Sequence, residues 1–116
     1  MNKLGSGTFL SNEAVMLSNT EGYVGKYVEY KGIVHVITKY DEYRDKVMLL
    51  NPLGSHRKYN VKSENVKFLN TGAKKVRFKC DEYLVTRTLM IINLKTGRVV
   101  LSQNIRRKAI LAAIGE

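Results

Sequence analysis

From Tyr23 onward the chain alternates apolar and polar residues with a period of two, and β-branched and aromatic side chains fill the apolar positions between glycines. A strand turns successive residues to opposite faces, so this pattern predicts short, half-buried strands joined by tight turns. Strands are expected at 24–31, 33–40, 45–51, 57–62 and 66–69. Gly32 separates the first two, Asp41-Glu42-Tyr43-Arg44-Asp45 forms a polar hairpin tip, and Asn51-Pro52-Leu53-Gly54-Ser55 supplies proline and glycine for a turn. Ser63-Glu64-Asn65 reads as one 3₁₀ turn before the fifth strand.

The flanks read differently. Residues 1–10 hold two glycines and small polar residues, which suits a loose arm, and Ser11 is placed to cap a short helix over residues 12–17. After Asn70-Thr71-Gly72-Ala73 the strand pattern resumes at 75–80, 83–94 and 98–102, with Lys95-Thr96-Gly97 as a hairpin turn. Ser102 is the expected N-cap of a helix over 103–114, and Gly115 its stop. Six consecutive apolar residues, 109–114, require that helix to dock on the sheet or on a partner. The expected organisation is one compact unit: an arm at 1–22, a strand-rich body at 23–70, and a hairpin plus helix at 71–116.

Five short strands within 23–69, with one helical turn before the fifth, look like an SH3-like barrel. Within that class, Val24-Gly25-Lys26-Tyr27-Val28-Glu29-Tyr30-Lys31-Gly32-Ile33-Val34 resembles the opening of KOW and Tudor-type domains, where a glycine precedes a valine-rich first strand and another closes it. Val34-His35-Val36-Ile37 stands where further glycines are usual in the second KOW strand. The resemblance covers under half of the chain and implies a small barrel whose inter-strand loops carry a binding surface. The expected fold is therefore mainly β, an SH3-like small barrel elaborated by a C-terminal β-hairpin and helix.

Charge changes the picture once it is located. The formal net charge is +10, but residues 1–55 carry six basic and six acidic side chains, whereas residues 56–108 carry fourteen basic and three acidic. Such a one-sided excess makes a positive field that attracts phosphate backbones. No window holds the roughly 18 apolar residues of a spanning helix, and the N-terminus lacks a signal-peptide core, so a cytoplasmic protein without membrane contact is expected, in a bacterial or infected host cell. Cys80 ends an alternating apolar run, which predicts a buried core thiol.

Three groups of cations are candidates for phosphate contact. In 75–80, alternation puts Val76, Phe78 and Cys80 on one face and Lys75, Arg77 and Lys79 on the other, spaced about 6.5–7 Å, with Lys74 extending the row. Arg106, Arg107 and Lys108 sit near a helix N-terminus, where cations oppose the helix dipole and so are not placed for helix stability; an internal or intersubunit salt bridge is the alternative. His56, Arg57, Lys58 and Tyr59 combine charge with an aromatic ring, and the opposite hairpin adds Lys39, Tyr40 and Arg44.

Catalysis finds little in the sequence: no glycine-rich phosphate loop, no nucleophile beside a base, no histidines at metal spacing and no cofactor motif. Arg44 and Lys46 lie among the carboxylates Asp41, Glu42 and Asp45, which reads as a charged hairpin tip rather than a metal site. The residues point to a non-enzymatic DNA- or RNA-binding protein with low sequence specificity. Abundant lysine and asparagine with one proline suit an AT-rich genome such as that of a bacteriophage or low-GC bacterium, and an accessory regulator of transcription or chromatin is the expected role. The alternative is an adaptor or inhibitor that docks on an acidic protein.

Overall fold

A computed structural model describes residues 14–17, 22–51, 58–101 and 103–115, and for Lys58 the backbone alone. The chain forms strands β1 (Val15–Leu17), β2 (Lys26–Tyr30), β3 (Ile33–Asp41), β4 (Lys46–Leu50) and β5 (Lys58–Lys62), then a 3₁₀ turn at Ser63–Asn65. It continues through β6 (Lys67–Gly72), β7 (Lys74–Phe78), β8 (Asp81–Val85) and β9 (Ile91–Asn93) to helix α1 (Ile105–Ala113). The strands make two antiparallel sheets, ordered β5-β4-β3-β2-β6 and β9-β8-β7-β1. Among the described residues, edge strands β5 and β6 share no ladder, so the first sheet does not close into a barrel. Among them too, no helix is long and apolar enough to cross a membrane.

The alternation that predicts the first five strands also sorts their side chains. Val28, Ile37, Val47 and Leu49 cluster on the inner face of the first sheet, with Tyr23, Tyr30, Tyr40, Tyr59, Val61 and Val66 packed around them. Tyr27, Val36 and Leu50 point from the opposite face and meet Leu84 and Ile92 of the second sheet. The far side of that second sheet carries Val76, Phe78, Tyr83, Val85 and Ile91, on which Ile110 of α1 is seated with no exposed surface. Two apolar layers therefore lie between first sheet, second sheet and helix, and a third covers the other face of the first sheet. Strand β3 is central and buried on both faces, and a register shift between Ile37 and Lys39 lets it bend.

Two turns illustrate how local chemistry sets the path. Lys31 (φ 53°) and Gly32 (φ 78°) both occupy the left-handed region, as a two-residue type I′ hairpin between Tyr30 and Ile33 requires. Where β6 passes into β7, Ala73 N donates to Gly25 O at 2.7 Å, and a Cβ on Gly72 would stand 2.9 Å from that same oxygen. Only glycine allows this approach between backbones.

Several expectations from sequence are corrected. Residues 15–17 are not helical: they add a strand to the edge of β7, Val15 opposite Arg77 and Leu17 opposite Lys75, because backbone groups at that edge gain a ladder. The run 83–94 is not one strand, since Thr86 folds it back: its N–H donates to Met90 O, its hydroxyl accepts from Met90 N at 3.1 Å, and Leu89 turns to φ 65°. Among the described residues of 98–102, Val99 forms a single bridge to Ile92 and no strand. The strand over 75–80 stops at Phe78, and Lys79 takes φ 59° in the turn, which carries Cys80 out of the core to an exposed position. Helix α1 begins at Ile105 with Asn104 as N-cap, its Oδ1 accepting from Arg106 N at 2.9 Å. Gly115 ends the helix at φ 87°, as expected. The expected arm, the Ser11 and Ser102 caps and the Pro52 turn fall outside the described residues.

Candidate nucleic-acid interface

The second sheet covers only part of the outer face of the first. On β4 that face reads Lys46, Met48, Leu50, and only Leu50 is buried under the second sheet. On β3, Val34 and Val36 join the same buried layer, while Lys39 and Asp41 lie beyond the bulge and outside it. On β5, Asn60 stands opposite Met48 and Lys62 opposite Lys46. The uncovered portion is thus a patch of three adjacent strands bearing Lys39, Asp41, Lys46, Met48, Asn60 and Lys62. Lys39, Asp41, Lys46, Met48 and Asn60 line a shallow depression of about 90 Å³ within it.

Its electrostatics are one-sided. Lys46 and Lys62 are directly opposed across β4 and β5, a like-charge arrangement that costs stability in an antiparallel pair. The carboxylate on this face, Asp41, is engaged by the hairpin: its Oδ1 accepts from Tyr43 N at 3.1 Å and Arg44 N at 3.3 Å, and its Oδ2 lies 4.0 Å from Arg44 Nε. Arg44, with 73% of its side chain exposed, stands at a hairpin tip that also carries Glu42 and Asp45. The patch thus carries Lys39, Lys46 and Lys62 together with Asp41, which stands opposite Lys46 on β3 as Lys62 does on β5.

The sequence-predicted residues separate into distinct places. Lys39 and Arg44 belong to this patch. Tyr40 and Tyr59 turn inward instead: Tyr40 packs edge-on against Tyr23 at 4.5 Å, and Tyr59 packs on His35 and Tyr30. The Tyr40 hydroxyl donates to Asp45 Oδ1 at 2.9 Å, a bond that pushes its pKa up to about 12 with help from partial burial and the Asp45 charge. Neither ring is free to stack on a base. His56 and Arg57 lie outside the described residues, and Lys58 is placed opposite Leu50 by its backbone.

The expected cation row on β7 does not form. Lys75 and Arg77 share a face, but Lys74 falls on the face of Val76 and Phe78, and Lys79 sits in the turn with its Nζ 5.5 Å from the Phe78 ring. Arg77 also pairs with Glu82 at 3.3 Å. On α1, Arg106 serves the fold: it donates to the Tyr83 hydroxyl at 2.9 Å and pairs with Asp81 at 3.3 Å. Those partners, Tyr83 first, raise its pKa above the usual guanidinium value. Arg107 is half-buried and Lys108 exposed, and among the described residues neither forms an ion pair. The internal salt bridge is therefore the outcome for Arg106, while Arg107 and Lys108 lie on α1, apart in the chain from the three strands of the sheet patch.

No protein family, curated protein or solved structure matches the chain.

Reading the sequence for clusters of successive cations missed Lys46, Asn60 and Lys62. The signal was present as alternation: in Lys58-Tyr59-Asn60-Val61-Lys62 the polar residues share one face, and Lys46-Val47-Met48 repeats that pattern on the neighbouring strand. Pairing register, which a single sequence does not state, brings the two together.

Proposed function

We propose that this chain is a non-enzymatic nucleic-acid-binding protein that grips the phosphate backbone with the uncovered face of β3, β4 and β5. The observation that carries the reading is the opposition of Lys46 and Lys62, with Lys39 on the same face opposite Met48, on a sheet face with no cover among the described residues. Such an arrangement costs stability alone and gains from an anion that bridges it. Strand rows about 4.8 Å apart and same-face residues about 7 Å apart match the reach of lysines to successive phosphates.

The strand order β5-β4-β3-β2-β6, with a 3₁₀ turn before the last strand, supports reading this half of the chain as an SH3-like barrel of the KOW or Tudor kind, left open at one seam. Backbone contact without base readout implies low sequence specificity. An accessory regulator of transcription or chromatin, in a bacteriophage or a bacterium with an AT-rich genome, fits the composition.

The test is the salt dependence of duplex and single-stranded binding. Replacing Lys39, Lys46 and Lys62 together by glutamine is expected to flatten the logarithmic salt slope by up to about three units. An unchanged slope in a folded triple variant overturns the reading. A pull-down from nuclease-treated lysate separates the alternative, since a partner retained after nuclease identifies an acidic protein as the ligand of the same face.

A further inference from the structure

A second site lies away from the sheet patch, where the two sheets and the end of α1 converge. Tyr27, Gly72, Lys74, Val85, Thr86, Arg87, Leu89 and Ile114 enclose a cleft of about 210 Å³. Its walls are apolar where Val85, Leu89 and Ile114 contribute, and its polar groups are mostly donors. The Arg87 guanidinium lies 4.6 Å from the centre of the Tyr27 ring, which holds its planar fork at the cleft. Arg87 N–H donates to the Tyr27 hydroxyl at 3.0 Å, so that oxygen is an acceptor while its own proton meets no acceptor among the described residues. Tyr27 is only 2% exposed, and a buried hydroxyl proton without a partner is uncommon. Lys74 brings a second cation, and among the described residues no carboxylate lines the cleft.

We propose that this cleft binds a compact organic anion: a carboxylate or phosphate held by Arg87, Lys74 and the Tyr27 hydroxyl, carried on an apolar body that packs against Val85, Leu89 and Ile114. The volume is below the roughly 300 Å³ of pockets that take drug-sized ligands, so the ligand is of single-ring size. The turn that positions Arg87 is built for it: Leu89 is held in the left-handed region with its side chain packed in the apolar layer under α1, and Thr86 closes the turn. This proposal stands independently of nucleic-acid binding, because none of its residues belongs to the β3-β4-β5 face.

Titration of isotope-labelled protein with benzoate, followed by amide chemical shifts, tests it. Saturable shifts are expected at Arg87, Leu89 and Ile114, with a dissociation constant in the low-millimolar range suited to so small a ligand. Arg87→Gln and Lys74→Gln, both at exposed positions, should each weaken binding at least threefold while leaving the remaining spectrum in place. Benzamide, the neutral counterpart, should bind at least tenfold more weakly, and inorganic phosphate, which lacks the apolar body, more weakly than benzoate. Absence of saturable shifts, equal affinity for benzamide, phosphate binding tighter than benzoate, or unchanged affinity in both variants overturns the proposal. Loss of benzoate binding on replacing Lys39, Lys46 and Lys62 would also overturn it, by moving the site to the sheet patch.

Discussion

Changing Lys62 to glutamate reverses one member of the Lys46–Lys62 pair and should move stability and binding in opposite directions. In the native protein the two ammonium groups project from directly opposed positions on adjacent strands. Cross-strand charge pairs contribute roughly 0.2–1 kcal/mol, favourable or unfavourable according to sign. Replacing repulsion by attraction at a solvated site is therefore worth about 0.5–1 kcal/mol, with screening keeping it toward the lower end. That corresponds to a rise of about 2–5 °C in midpoint temperature for a chain of this size. Most of the gain should disappear near about 1 M salt, where the Debye length is about 3 Å. Nucleic-acid affinity at about 0.1 M salt should fall about tenfold, and the salt slope should lose close to one unit. Thermal unfolding at two ionic strengths, paired with fluorescence anisotropy on a labelled oligonucleotide, reads both quantities. A K62E protein that is less stable than the native chain, or that binds with unchanged affinity and slope, refutes the reasoning.

Three further outcomes follow from the packing, the turns and the titrating groups. Ile110→Ala empties the one fully buried position on α1, against Val76, Phe78, Tyr83, Val85 and Ile91, and should cost about 2–4 kcal/mol in urea unfolding; a loss under about 1 kcal/mol would mean that the helix is not docked there. Lys31→Asn places the preferred Asn-Gly pair in the type I′ turn and should stabilise by about 0.5 kcal/mol, with a lowered midpoint counting against the turn assignment. Tyr40 should ionise near pH 12 instead of 10, as followed by phenolate absorbance or ring chemical shifts. The Asp45 bond thus contributes stability that is complete below about pH 10 and is lost as pH rises through 12. Asp45→Asn should bring the Tyr40 titration back toward its ordinary value, and an unmoved titration would show that the bond is not its cause.

Much of the fold was legible because the period-two pattern is produced by burial itself. Strands β2 to β5 and the 3₁₀ turn fall within two residues of where alternation and turn residues place them. The failures lie where a tertiary contact or a side-chain hydrogen bond overrides the apolar pattern. Val15 to Leu17 looked helical in isolation and became a strand because the edge of β7 was available to pair. Continuous apolar character from Tyr83 to Leu94 hid the reversal at Thr86, which depends on its side-chain hydroxyl and a left-handed leucine. The candidate site was less legible still. Contiguous cations such as Arg106-Arg107-Lys108 drew attention in the sequence, yet Arg106 is consumed by Tyr83 and Asp81. Lys39, Lys46 and Lys62 are far apart along the chain and meet only through pairing register.

An amide chemical-shift map of the protein titrated with a short oligonucleotide at low salt tests most directly whether phosphate backbone is held on the outer face of β3, β4 and β5. The largest perturbations are expected on Lys39, Lys46, Met48, Asn60 and Lys62 and should collapse together as salt is raised. Perturbations centred on Arg107 and Lys108, or none at a concentration that saturates a basic surface, would contradict it.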